Sequence, residues 1–178
     1  MAQATLVRPY DPMWPAWFET LKTRLELALR DVPHAVEHVG STAVPGMVAK
    51  PIIDMDVVVE RADFARTRDA LGRLGYTHQG DIGIPDREAF DLADPHLKAS
   101  LPPHHLYVCI QGTPELLKHV AFRDFMRTHA EWVRALSAHK LDLCERHAND
   151  RQAYIDGKSN MVQEITNLAA QETDHGSD

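Results

Sequence analysis

Apolar and polar positions recur along this chain in two rhythms. Trp14, Trp17, Phe18, Leu21, Leu25 and Leu29 fall three or four residues apart, which predicts an amphipathic helix from about Pro15 to Leu29, capped by Asp11 and entered through Pro12 and Pro15. The stretch from Ile52 to Val59 is instead short, β-branched and mostly apolar, the mark of a buried strand. Val36 to Val39 reads as a second short strand. Phe64, Leu71 and Leu74 turn one face of a helix over 61–74 inward, and Gly75 stops it. Tyr76 to His78 is a short strand, 80–86 a Gly- and Pro-containing loop, and Arg87 to Leu92 a further strand. Residues 93–103 form a polar, proline-bearing connection and a candidate lid. His104 to Ile110 completes the strands, with His105, Tyr107 and Cys109 on one face and His104, Leu106, Val108 and Ile110 on the other. Everything after Thr113 and Pro114 has helical spacing, with helices continuing over 132–147 and 151–170, and residues 171–178 read as a disordered tail.

One stretch stands out chemically. From His38 to Val59 a short apolar run passes through Gly40-Ser41-Thr42 and a proline turn, then enters the strand carrying Asp54 and Asp56. Side chains two apart on a strand share a face, so both carboxylates stand side by side in apolar surroundings. Such a pair calls for a raised pKa, a basic partner or a hard cation such as Mg²⁺. Gly40 permits close backbone approach, and the Ser41 hydroxyl with the N–H groups of a following turn can hold a phosphate, reinforced by Thr42. Each motif also has a plainer meaning: two aspartates at a strand end, and a common Gly-Ser turn. Lys50 is either a neutralising cation or an exposed turn lysine. If the His105 face adjoins the aspartates, its imidazole can act as ligand, proton carrier or phosphate contact. Arg123, Lys140 and Lys158 are cations of the helical half that, if they converge on the acidic centre, bind polyphosphate.

The length of 178 residues suits a single domain over 1–170 with a substantial core. A formal net charge of −7 argues against a broad nucleic-acid footprint, though not against a local basic pocket. Cys109 and Cys144 alone build neither a zinc site nor a disulfide framework, so they are expected as reduced thiols. With no apolar run long enough for a bilayer and no leader pattern at Met1, the expectation is a soluble, cytoplasmic protein.

Several motifs together resemble the GrpB family. They are Tyr10-Asp11-Pro12 with Trp14, the unbroken run from His38 to Gly46, Lys50-Pro51-Ile52-Ile53-Asp54, His104-His105-Leu106, Phe122-Arg123-Asp124, and the late Tyr154 with Lys158. The resemblance spans residues 7–170. That family is similar to the nucleotidyltransferase superfamily, which implies an α/β fold with a mixed sheet, packed helices and a helical C-terminal half. It also implies phosphate contacts at Gly40 and Ser41, Mg²⁺ ligands at Asp54 and Asp56, and in-line attack on a nucleotide α-phosphorus. Two features depart from the pattern. A third carboxylate on a neighbouring strand is not evident, with Asp91 the available candidate, and the His-Leu-His of relatives is His105-Leu106-Tyr107 here.

The expectation is therefore a Mg²⁺-dependent nucleotidyltransferase-like enzyme acting on a small molecule. Asp54, Asp56 and His105 are its catalytic candidates, and Gly40, Ser41, Thr42, Lys50, Arg123 and Lys158 its substrate and phosphate contacts. The alternative is a non-catalytic binder of a nucleotide or phosphorylated metabolite.

Overall fold

A buried strand needs apolar cover on both sides, and the alternation in Ile53–Val59 divides that cover unequally. In the computed structural model, which describes residues 5–175, this segment is strand β2. Ile53, Met55, Val57 and Val59 point to one side, into the main core. There they meet Trp14, Phe18, Leu21, Leu25 and Leu29 of helix α1 (Trp14–Leu29) and Ala70 and Leu71 of α2 (Phe64–Arg73). Asp54 and Asp56 are left on the opposite face.

The sheet has five strands in the order β1-β2-β5-β4-β3, with β1 at Ala35–Val39, β3 at Tyr76–Gly80, β4 at Arg87–Leu92 and β5 at His104–Ile110. β2 runs parallel to β5 and the remaining neighbours are antiparallel, so the sheet is mixed. Helices α4 (Pro114–Thr128), α5 (Ala130–Arg146) and α6 (Arg151–His175) form the second layer. Val44 and Met47, from the turn after β1, are buried among Phe122, Phe125, Met126, Val133, Leu136 and Ile165 of that layer. The turn is thereby anchored to the helical half as well as to the sheet. Among the described residues, no helix is long and apolar enough to cross a membrane.

Two expectations need correction. The 93–103 connection contains a short helix, α3 (Pro95–Ser100), because Asp94 accepts the His96 N–H at 2.8 Å as an N-cap and Pro95 suits the first turn. Lys98 joins it to Asp91 of β4 at 2.6 Å through a solvent-exposed ion pair. Helix α6 also continues past Ala170 to His175, so 171–175 belong to the helix, while 176–178 lie outside the described residues.

Candidate functional site

Strand register assembles the polar centre. Asp54 lies between Val39 of β1 and His105 of β5, and Asp56 between Glu37 and Tyr107. The His105 Nδ1–H donates to Asp54 Oδ1 at 2.8 Å, while no protein partner among the described residues holds Nε2. Asp56 is 0% exposed. Its Oδ2 accepts the His119 Nδ1–H from α4 at 2.7 Å, and its Oδ1 is buried without a protein partner. Burial works against the charged form of His119, but the hydrogen bond and charge of Asp56, with the charge of Glu115, outweigh it and raise its pKa. Cys109 lies beneath this pair, and burial, followed by the Asp56 charge, drives its thiol strongly toward the protonated form. Arg87 covers the Tyr107 ring with its guanidinium carbon 4.4 Å from the centroid.

The turn after β1 depends on Gly40. Its φ of 70° and ψ of −168° lie in a region essentially closed to other residues, and a Cβ there would stand 2.5 Å from Asp54 Oδ2. Ser41 opens a single 3₁₀ turn, Ser41–Ala43. Thr42 points inward, its hydroxyl donating to the Ile52 carbonyl at 3.4 Å and meeting His38 Nε2 at 3.0 Å. His38 stacks on Phe18, and burial, then the Arg127 charge, lowers its pKa to about 4, so it stays neutral.

The helical half supplies cations. Lys140 of α5 is 1% exposed and donates to Ser41 Oγ at 2.7 Å and to the Val48 carbonyl at 2.9 Å. Burial, then the charge of Lys158, brings its pKa down to about 7. Lys50 and Lys158 lie 4.7 and 5.5 Å from the ring centroid of the buried Tyr154. Burial lowers the pKa of both, and the Asp54 charge counteracts this at Lys50, Lys140 and Lys158 alike. All three ammonium groups thus feel the same carboxylate.

Asp54, Asp56, His105, Gly40, Ser41, Lys50 and Lys158 surround one centre. Thr42 and Arg123 lie behind it: the Arg123 guanidinium bonds Glu37 at 2.5 Å, Asp124 at 2.7 Å and the His38 carbonyl at 3.2 Å, joining β1 to α4. Asp91 is on β4, separated from β2 by β5 and engaged by Lys98, so the positions beside Asp54 and Asp56 on β5 belong to His105 and Tyr107. His119 escaped the sequence reading, although it sits four residues before Arg123 and hence on the same helical face.

The donor set fits Mg²⁺. A buried carboxylate oxygen lacks a partner, Asp54 is half-buried beside it, and imidazole N–H groups orient both carboxylates. Among the described residues, no three His, Cys, Asp or Glu side chains converge as a closed metal nest, so a cation here would draw its remaining shell from phosphate and water.

Comparison with known proteins agrees with this architecture. UPF0157 protein YqkA of Bacillus subtilis is 32% identical over 154 residues, covering 86% of this chain and 43% of YqkA, so the chain spans less than half of that relative. UPF0157 protein BH1888 of Halalkalibacterium halodurans is 36% identical over 172 residues, 94% of this chain and 83% of that protein. The crystal structure of the conserved protein GrpB from Enterococcus faecalis superposes with a TM-score of 0.80 at 28% identity, over 94% of this chain and 98% of that one. The Cid1 poly(U) polymerase, in an H336N mutant bound to MgATP, shares the fold at a TM-score of 0.53 and 10% identity, over 75% of this chain and 42% of Cid1. The sequence profile described as "GrpB protein" matches residues 5–168, and the chain belongs to the GrpB family.

Proposed function

We propose that the chain binds a nucleoside triphosphate with Mg²⁺ and transfers its nucleotidyl group to a small acceptor. What carries this reading is the placement of Asp54 and Asp56 on one face of β2 with Ser41 and the Lys50, Lys140 and Lys158 ammonium groups gathered beside them. Cid1, which shares the fold, was crystallised with MgATP. In this reading Gly40 lets the phosphates approach the backbone, Ser41, Lys50 and Lys158 hold the β- and γ-phosphates, and the buried Lys140 fixes the Ser41 hydroxyl. Asp54 and Asp56 hold Mg²⁺, which supplies charge neutralisation at the phosphates. His105, held by Asp54 through Nδ1, presents Nε2 to take the acceptor proton. Thr42 and Arg123 serve indirectly, by fixing the turn and β1.

A thermal-shift panel of nucleoside triphosphates with and without Mg²⁺, on wild type and Asp54→Asn, tests this. The expected result is stabilisation by about 2–3 kcal/mol at a hundredfold excess over Kd, requiring both Mg²⁺ and Asp54. Silence across the panel overturns the reading.

One observation favours a second reading, a binder without turnover. His105 and Tyr107 occupy the positions on β5 beside Asp54 and Asp56, where the superfamily resemblance leads one to expect a carboxylate. Metal-dependent nucleotide binding without pyrophosphate release, across a range of acceptor alcohols, supports it over transfer.

A further inference from the structure

On the β5 flank of the carboxylates lies a cavity of about 730 Å³, lined by Ala89 and Tyr107 of the sheet and by Pro95 and Pro103. This is the size of a small-molecule site. His105 lines it and is also hydrogen-bonded to Asp54, so the cavity and the acidic centre share one imidazole. The register sets the direction. Val39, which leads into Gly40 and Ser41, borders Asp54 on one side and His105 borders it on the other. A phosphate cradle and this cavity therefore lie on opposite flanks of Asp54, as in-line displacement demands of the leaving group and the nucleophile.

The lining describes the occupant. Asp91 and Lys98 neutralise one another at 2.6 and 2.8 Å, Arg151 adds one further cation, Gln79 and two histidines are polar, and most of the other lining residues are apolar. At the rim stands Ile82, 64% exposed and with a φ of 48°. A β-branched residue is badly suited to the left-handed region, and an isoleucine facing solvent there gains nothing from the fold. Its apolar surface has a use if it closes on an apolar guest.

We infer that this cavity is the acceptor subsite, and that it takes a small molecule with a mainly apolar body and a hydroxyl directed at His105. The inference rests on the transfer reading above. In the step it implies, the acceptor oxygen bonds to the α-phosphorus as the bond from that phosphorus to the bridging oxygen breaks. Pyrophosphate leaves with the electron pair, and the hydroxyl proton passes to His105 Nε2.

Methyl-labelled protein titrated with cyclohexylmethanol and with glycerol, followed by NMR, tests the subsite. Cyclohexylmethanol is expected to shift the Ile82 and Ala89 methyl signals and to bind at least about tenfold more tightly than glycerol, from the transfer of its ring methylenes out of water. Ile82→Asn supplies the control, because asparagine tolerates the left-handed conformation. It is expected to keep the melting temperature and the Mg²⁺-dependent nucleotide shift while weakening cyclohexylmethanol several-fold. Equal affinity for the two alcohols, shifts confined to other methyls, or an indifferent Ile82→Asn overturns the subsite while nucleotide binding persists. Cyclohexylmethanol binding here in a protein silent to every nucleotide overturns the acceptor role through failure of the transfer reading.

Discussion

Two residues carry unusual local constraints. Gly40 is one: its backbone conformation and the 2.5 Å approach of any Cβ to Asp54 Oδ2 leave no room for a side chain. Gly40→Ala is expected to cost about 1–3 kcal/mol and to remove Mg²⁺-dependent nucleotide binding by displacing the Asp54 carboxylate, as read by urea melts and thermal shift. Unchanged binding at reduced stability would separate the turn from the site. Lys140 is the other. Its pKa of about 7 in the folded protein lies below the ordinary 10.5 of the unfolded chain, mainly because it is buried. Between these values the unfolded chain holds the extra proton, so stability rises with pH there, and below pH 7 the full penalty applies, on the order of a few kcal/mol. Urea melts of wild type against Lys140→Met should show wild type gaining on the variant from pH 6.5 to 9.5. A pH-independent difference would mean that Ser41 and Val48 compensate the buried charge fully.

At the scale of elements, α4 links the edge of the sheet to the centre, with His119 on Asp56 and Arg123 on Glu37. Arg123→Ala should destabilise by about 1–3 kcal/mol, leaving Glu37 and the His38 carbonyl short of a partner, while weakening nucleotide binding less than Lys158→Ala does. The reverse order would make Arg123 a direct phosphate contact. The strands were the readable part of the sequence. Strict alternation in 53–59 and 104–110 assigned each side chain to a face, and β-pairing then brought Asp54 and His105 together without further information. The short α3 was hidden because Asp94-Pro95, a sound helix start, sits among prolines that equally suit a loop. His119 was hidden for a different reason. A polar residue on an amphipathic helix looks solvent-facing until the helix is docked, and only tertiary packing sets it on Asp56. Burial of Lys140 was equally illegible, since nothing local distinguishes it from a surface lysine.

At the scale of the whole molecule, the centre joins two layers. The sheet and the turn bring carboxylates and Ser41, while α5 and α6 bring Lys140 and Lys158. A nucleotide spanning them should slow hydrogen exchange in 41–48, in α5 and in the first half of α6, while leaving loop 80–86 unaffected until an acceptor is added. Protection confined to the sheet would show that the lysines do not hold the phosphates. The molecule is acidic overall, at −7, yet gathers ammonium groups at this one place, so nucleotide affinity should depend on local burial more than on the distant field.

Because Lys158 sits on the last helix, both aspartates leave the ribosome well before the cation that faces them, by a delay on the order of ten seconds at ordinary elongation rates. A growing chain therefore has Lys50 and the two carboxylates of its centre before Lys140 and Lys158 arrive. On the proposed reading, the cradle for a nucleotide is incomplete until α6 docks, so α6 variants that dock slowly should acquire nucleotide binding late.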